Sequence, residues 1–312
     1  MATTHKAHSV KIHVDGSSAV IVPDVANLAL QMNPRHQAEL VADAFSPKHV
    51  AIAEVKPVLS FSSFAIATLL DNIGVSGLCV TAATNAGIVG YLQRHKACGT
   101  PDASGHRSFQ IKSGIIVPKT ISVDNRGDAR MAVDVVVAKT SGAAAVITDD
   151  SATLPTVSVA SARWTLGPIK INNVALSDFT SLEIDFGNTI EAMGTESDTY
   201  DSRISVRTHA PTIRIKGIDP TWFASSPIPI DGAAVAASTD YIYLRKRTQD
   251  GGHFVANVTA EHILLTPAGL ASVNQGFSGE AQRVGETELL LTLAIDSSGN
   301  NPIVVDTTAA IS

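Results

Sequence analysis

The sequence is poor in the residues that usually hold metals, form disulfides or bind polyanions. Its two cysteines, Cys79 and Cys98, stand in no C-x-x-C or C-x-x-H spacing, so we expect free thiols in a reducing cytoplasm rather than a disulfide framework or a metal site. Lysine and arginine (23) are outnumbered by aspartate and glutamate (29), which gives a formal net charge of −6. This balance argues against an overall basic surface for tight nucleic-acid binding.

Long apolar runs and aromatic residues are also scarce. No apolar run reaches the roughly 18 residues of a membrane-spanning helix, and residues 1–8 lack the apolar segment of a signal peptide. Aromatic residues make up only 5% of the chain. A carbohydrate-binding β-sandwich module would need exposed aromatic rings against its sugar, so this scarcity counts against that class.

The sequence lacks the usual signatures of catalysis. There is no G-x-S-x-G motif, and no glycine pair is followed by the Lys-Ser/Thr of a phosphate loop. The adjacent Asp149 and Asp150 fall in a polar segment, 148–156, that we expect to be a solvated linker. His5, His8 and His13 match no strong metal spacing and are expected to belong to a flexible tail. We therefore predict no catalytic residue, no metal and no cofactor.

The dominant positive signal is alternation of apolar and polar residues, with many β-branched side chains, which predicts strands. One helix is expected over residues 64–73, and a second, short one over 221–225, after Asp219 and Pro220. A strand over 50–64 should be interrupted at Pro57. The predicted fold is mainly β, with two tandem β-sandwich domains, residues 1–155 and 156–312, each carrying one short helix.

Landmarks recur in the same order in both halves and predict a duplication. Pro57 and Pro211 lie 154 residues apart, and Tyr91-Leu92 and Tyr243-Leu244 lie 152 apart. We also matched residues 115–118 (IIVP) with 264–267 (LLTP), and 133–137 with 289–293. A period of about half the chain indicates two copies of one domain rather than a solenoid.

Two strands of the second half carry complementary charges. Over 181–186, Glu183 and Asp185 alternate with apolar residues, and over 212–218 Arg214 and Lys216 do the same. Because side chains alternate between the faces of a strand, each charged pair shares one face. If the strands pair, each cross-strand ion pair should contribute about 0.2–1 kcal/mol.

Residues 181–191 (SLEIDFGNTIE), followed by 204–218 with its A-P-T-I-R-I core, resemble the tail tube proteins of long-tailed bacteriophages. The resemblance covers about residues 176–223 and reaches the first half only through the repeat. It implies β-sandwich subunits with a flanking helix that close into stacked rings around a β-barrel channel. A chain with two copies would then form a trimeric, pseudo-hexameric ring.

The same resemblance implies partners and a location. These are other copies of the chain, tail tip or baseplate and terminator proteins, and the tape measure protein and DNA in the channel, in a virion tail assembled in the host cytoplasm. The alternative is another virion ring protein, such as a distal tail, baseplate or head decoration protein.

On this hypothesis particular residues acquire roles. The polar face with Glu183, Asp185, Arg214 and Lys216 would line the channel and its acids would repel DNA; an ordinary solvated face is the alternative. Two polar loops, 97–105 and 274–285, would contact neighbouring rings; the residues chosen for this role are Cys98, Pro101, Asp102, Gln275, Phe277 and Glu280. Residues 1–8 and 307–312 would be assembly arms or disordered ends.

Overall fold

The computed structural model describes residues 4–13, 18–39, 46, 49–80, 87–96, 99–139, 146–157, 162–195, 199–218, 234–236, 240–248, 253–268, 270–280, 283–295 and 301–311. Within these ranges the chain is mainly β, with antiparallel sheets and one helix, α1 (Ile66–Ile73). The strands of the first half are β1 (Thr4–His13), β2 (Val20–Val22), β3 (Val25–Gln31), β4 (Pro34–Glu39), β5 (His49–Val55), β6 (Val58–Ser63), β7 (Leu78–Val80), β8 (Gly87–His95), β9 (His106–Ile111), β10 (Gly114–Asp124), β11 (Arg130–Val137) and β12 (Val146–Ala152). Those of the second half are β13 (Trp164–Ile171), β14 (Val174–Leu176), β15 (Phe179–Asp185), β16 (Asn188–Met193), β17 (Arg203–His209), β18 (Thr212–Gly217), β19 (Ala234–Ala236), β20 (Tyr241–Lys246), β21 (His262–Pro267), β22 (Leu270–Glu280), β23 (Arg283–Ala294) and β24 (Ile303–Ala309).

The strands are arranged in the same order in both halves. A five-stranded sheet runs β12-β9-β8-β1-β2 in the first half and β24-β21-β20-β13-β14 in the second. The order β3-β6-β11-β10, with β7 beside β10, is likewise repeated as β15-β18-β23-β22, with β19 beside β22. Each half adds one separate hairpin, β4–β5 or β16–β17.

The pairing partners correct one part of the sequence alignment. Matching residues 115–118 with 264–267 was wrong, because the first segment lies on β10 in the large sheet and the second on β21 in a small one. The counterpart of β10 is β22. Both segments place two aliphatic residues shortly before a proline, so composition could not separate them; the hydrogen-bonded neighbour does.

The two halves meet edge to edge in one ten-stranded sheet. Residues 120–124 of β10 pair antiparallel with residues 185–181 of β15. Further backbone hydrogen bonds connect the halves; among them, Val55 N–H donates to Thr199 O (2.6 Å), and Lys139 N–H donates to Asp201 O (2.8 Å). The expectation of a mainly β, β-sandwich-like protein is confirmed. The short helix predicted over residues 221–225 lies outside the described residues, and the boundary at 155/156 stays a prediction.

One large apolar core contains residues of the ten-stranded sheet and of both five-stranded sheets. Alternation places one set of side chains of the large sheet inward, such as Ile121 and Ile184, which are fully buried. They belong to the same core cluster as Val10 and Ile169 of the small sheets. Helix α1 adds four buried residues: Ile66, Leu69, Leu70 and Ile73. It ends at Gly74, whose N–H donates to Leu70 O (2.9 Å).

The strand breaks at proline and the first helix lie where the sequence predicts them. Several segments that we expected to be irregular are strands instead. Pro57 separates β5 from β6, and Pro211 separates β17 from β18. The expected N-terminal tail is wrong from Thr4 onward, because β1 pairs with β8 along its length. The linker expected at 148–156 is strand as far as Ala152, and the C-terminal segment is strand β24 to Ala309. The polar residues of these segments had indicated loops, but pairing with strands that are distant in the sequence makes them strands.

Among the described residues no helix is long and apolar enough to cross a membrane.

The turn between β15 and β16 depends on Gly187. Its φ is +58°, and a Cβ placed there would overlap the carbonyl oxygen of Ala210. We expect Gly187→Ala to lower the free energy of unfolding by about 1–3 kcal/mol. The matched control is Gly276→Ala in β22, where the nearest atom to a new Cβ is 4.0 Å away. Urea unfolding of both variants checks this; equal losses would contradict it.

The carboxyl of Asp240 predicts a pH dependence of stability. Burial raises its pKa to about 6, while hydrogen bonds from the backbone of Asn172 and Asn173 act in the opposite direction. The folded state therefore retains the proton longer than the unfolded chain. Its stabilising contribution is complete below about pH 4 and is lost as the pH rises to about 6, a change of up to about 3 kcal/mol. In Asp240→Asn this dependence should disappear, so unfolding curves of the two proteins should diverge between pH 4 and 7. Parallel curves would contradict the assignment.

Candidate functional site

The large sheet has a second face, which we call the open face, that points away from the core. Its side chains alternate with the buried ones along each strand. Most are small and polar or charged, and they are exposed or partly exposed. Members from both halves are Ser60, Thr120, Ser122, Asp124, Arg130, Asp134, Ser181, Glu183, Asp185, Thr212, Arg214, Lys216, Ser272, Asn274, Ser278, Glu286, Glu288 and Thr292.

The open face carries a surplus of negative charge. Among its described residues six are acidic (Asp124, Asp134, Glu183, Asp185, Glu286, Glu288) and three are basic (Arg130, Arg214, Lys216). Asp134 accepts a hydrogen bond from the hydroxyl of Ser60 at 2.7 Å. The face therefore combines short polar side chains with a net charge that repels polyanions.

Charges of the second half form a ladder across β15, β18 and β23. Glu183 lies opposite Arg214 in the β15–β18 register, and their side chains are 3.6 Å apart. Arg214 also reaches Glu288 at 3.4 Å. Lys216 contacts Glu286 at 3.4 Å and Glu288 at 3.7 Å. Arg214 thus lies between acids of both neighbouring strands, whereas Lys216 has its two acids on β23.

Two of the four charges singled out from the sequence have other neighbours than expected. Asp185 lies opposite Thr212, and its carboxylate accepts a hydrogen bond from Gly187 N–H at 2.8 Å. Lys216 lies opposite Ser181 in β15 and finds its acids on β23. Sequence reasoning missed Glu286 and Glu288, because nothing local indicates that β23 is the other neighbour of β18.

The two segments expected to be inter-ring loops differ in kind. Asp102 is held in a turn between β8 and β9, where it lies 3.5 Å from Arg94 and 3.8 Å from Lys96. Pro101 forms an isolated bridge with His95, and Cys98 lies outside the described residues.

The loop predicted over 274–285 was wrong. Gln275, Phe277 and Glu280 lie on β22, which pairs with β23. Glycine and serine weaken the local strand signal there, but pairing with a long neighbour overrides local preference. The side chain of Phe277 is 52% exposed, which is unusual for so large an apolar group in a paired strand.

One concave site among the described residues lies outside the large sheet. A shallow cavity of about 530 Å³ lies on the five-stranded sheet of the first half, lined among others by Lys11, His13, Tyr91 and Asp149. Within the described ranges no group of three or more histidine, cysteine, aspartate or glutamate residues is placed to hold a metal ion. Cys79 is an exposed free thiol.

No protein-family model matches the sequence, and no curated protein is significantly similar to it. The features of the molecule that point to a function are the repeated topology, the open face and the edges of the large sheet.

Removing Arg214 tests the charge ladder. Arg214→Ala leaves Glu183 and Glu288 without their shared cation, and because all three side chains are well exposed we expect a loss of at most about 1 kcal/mol. The loss should shrink in 1 M salt, where the screening length is about 3 Å. Arg207→Ala, an exposed arginine of β17, is the matched control. Urea unfolding at low and high salt gives both values; a loss that salt does not change would exclude an electrostatic role.

Proposed function

We propose that this chain is a structural subunit that assembles with copies of itself into three-chain rings, which stack into a tube that conducts DNA, as in a phage tail. The observation that carries the proposal is the merging of two like halves into one sheet through the pairing of β10 with β15. A sheet that joins one half to the next in this way can join one chain to the next by the same edges.

The ends of the joined sheet support this reading. Toward one end lies β3, and toward the other lies β22, whose C-terminal part extends beyond its pairing with β19. Unpaired edges expose backbone donors and acceptors and tend to recruit further strands. Because the two ends are different surfaces, pairing between copies is head-to-tail, and such contacts generate rings when the rotation closes.

The size of the closed sheet suits a channel. Each chain contributes eight strands of the repeated order, four from each half, so three chains contribute twenty-four. At a spacing of about 4.8 Å between strands, twenty-four strands give a circumference of roughly 115 Å and a diameter of roughly 37 Å between backbones, before any tilt is included. Side chains on the inner face leave room for a nucleic-acid duplex.

The chemistry of the open face supports its orientation toward the channel. Affinity for DNA comes mostly from cations that neutralise phosphates. A surface of short polar side chains with six carboxylates and three cations does the opposite, since each passing phosphate meets more negative than positive charge. A channel lined by this face would bind DNA weakly, which allows the DNA to pass through. The remaining partners and the virion location follow from the resemblance to tail tube proteins.

The stoichiometry provides the first test. Native mass spectrometry and negative-stain microscopy of the purified chain should show a species of three 32.5-kDa chains, and rings or hollow tubes. Single rings without stacking would favour the alternative of another virion ring protein. A chain that stays monomeric at high concentration contradicts the proposal.

The orientation of the open face provides the second test. Ser122→Lys with Thr292→Lys adds two cations to that face, and Thr148→Lys with Val304→Lys adds two cations at exposed positions of the five-stranded sheets. Assembled tubes of the first variant should retain short duplex DNA in a nuclease-protected form. Tubes of the control should bind DNA only in a form that nuclease removes. Protection by the control, or none by the first variant, would place the open face outside the channel.

A further inference from the structure

We propose that the contact between neighbouring chains reproduces the internal β10–β15 joint, residue for residue. Residues 29–31 of β3 in one copy pair antiparallel with residues 278–276 of β22 in the next, and Leu30 lies opposite Phe277. The hairpin β4–β5 lies against the neighbouring copy as β16–β17 lies against the first half. This inference rests on the proposed ring and specifies its interface.

On one side of the proposed contact lies β3, whose equivalent in the second half is β15. In the first half Ala29, Leu30 and Gln31 pair with residues 60, 59 and 58 of β6. In the second half residues 183, 184 and 185 of β15 pair with residues 214, 213 and 212 of β18. All six positions differ by 154, so residues 29–31 occupy the place of 183–185.

The β22 side is defined in the same way. Residues 120, 121 and 122 of β10 pair with residues 132, 131 and 130 of β11. Residues 276, 277 and 278 of β22 pair with residues 288, 287 and 286 of β23, at a constant difference of 156. Within the chain, residues 120–122 pair with 185–183. Substituting equivalent positions gives Gln31 opposite Gly276, Leu30 opposite Phe277 and Ala29 opposite Ser278.

Apolar side chains at the internal joint are buried, whereas those at the equivalent positions of the proposed contact between chains are exposed. Ile121, which faces the internal joint, is fully buried, whereas its counterpart Phe277 is 52% exposed. Phe186, just beyond the joint, is fully buried, whereas its counterpart Met32 is 39% exposed. Large apolar groups are thus exposed at the positions that the internal joint covers.

The two hairpins provide an independent comparison. Hairpin β16–β17 repeats the register of β4–β5 at a difference of 154, including the position of its bulge. The second hairpin packs near β10, and the side-chain amide of Asn188 at its base donates to the carbonyls of Val75 (2.9 Å) and Pro118 (3.1 Å). Its Ile204 and Val206 are half-buried.

The first hairpin contacts the second half through Val55, whose N–H donates to Thr199 O, but its apolar side chains are more exposed than those of the second hairpin. Val50 and Ile52, the counterparts of Ile204 and Val206, are 61% and 52% exposed. A second copy joined through β22 would bring its own β22 to this hairpin, as β10 is brought to β16–β17. The occupant of this apolar surface is therefore another copy of the chain.

Disulfide trapping tests the register. In a Cys79→Ser, Cys98→Ser background, Ala29→Cys with Ser278→Cys should form interchain disulfides under mild oxidation, seen as dimers and trimers on non-reducing gels. Within one chain β3 and β22 are separated by seven strand spacings, roughly 34 Å, so an intrachain bond is excluded. Ala29→Cys with Ser272→Cys, displaced by six residues or roughly 20 Å along β22, is the matched control and should remain monomeric on the gel.

The outcomes separate this inference from the proposed ring. Crosslinking of 29 with 278 but not with 272 supports the register. Rings in the microscope without the 29–278 crosslink, or equal crosslinking of both pairs, overturn the register and leave the ring in place. Absence of both rings and crosslinks overturns the two together.

A substitution at the exposed apolar positions tests the burial argument. Phe277→Ser should reduce ring formation at least tenfold in mass spectrometry while the unfolding midpoint of the monomer stays unchanged. Val258→Ser, at a position that is 85% exposed and away from both edges, is the control and should assemble normally. Normal assembly of Phe277→Ser would overturn the proposed contact.

Discussion

The pairing of β10 with β15 is the contact on which the rest of the architecture depends. Without it the large sheets of the two halves would be separate. With it they form one ten-stranded sheet, whose buried face belongs to a core shared with both five-stranded sheets and whose other face is the open face. The buried Ile121 and Ile184 lie opposite one another at the centre of this joint. Backbone hydrogen bonds set the register there, and apolar burial on one face makes a one-residue slip costly.

The joint also explains why charges can be concentrated on the open face. Because side chains alternate between the two faces, the residues that are not in the core lie on the open face and can be charged without disturbing the core. Arg214 lies between Glu183 and Glu288 of its two neighbouring strands, and Lys216 lies beside Glu286 and Glu288, so both cations reduce repulsion within the sheet. The acids still outnumber the cations, and the exposed ion pairs contribute little to stability.

Duplication of a backbone does not duplicate its surroundings. The side chains of the second hairpin are more buried than those of the first, although the registers of the two hairpins agree. Equivalent strand positions carry Ile121 and Phe277, apolar in both cases, but the first is fully buried and the second is 52% exposed. This difference underlies our proposal that a further copy makes the contact that the internal joint makes within the chain.

The sequence alone determined the β class, the helix (expected over residues 64–73 and found at Ile66–Ile73), the strand breaks at Pro57 and Pro211, and the alternation that sets Glu183 and Arg214 on one face. These depend on local periodicity and on proline, which act over a few residues. Tertiary structure decided the rest. It made a strand of the glycine-rich segment around Phe277, paired β10 with β15, and placed Glu286 and Glu288 beside Lys216. Strand pairing joins residues far apart in the chain, so its free energy is decided by the partner and not by the segment itself.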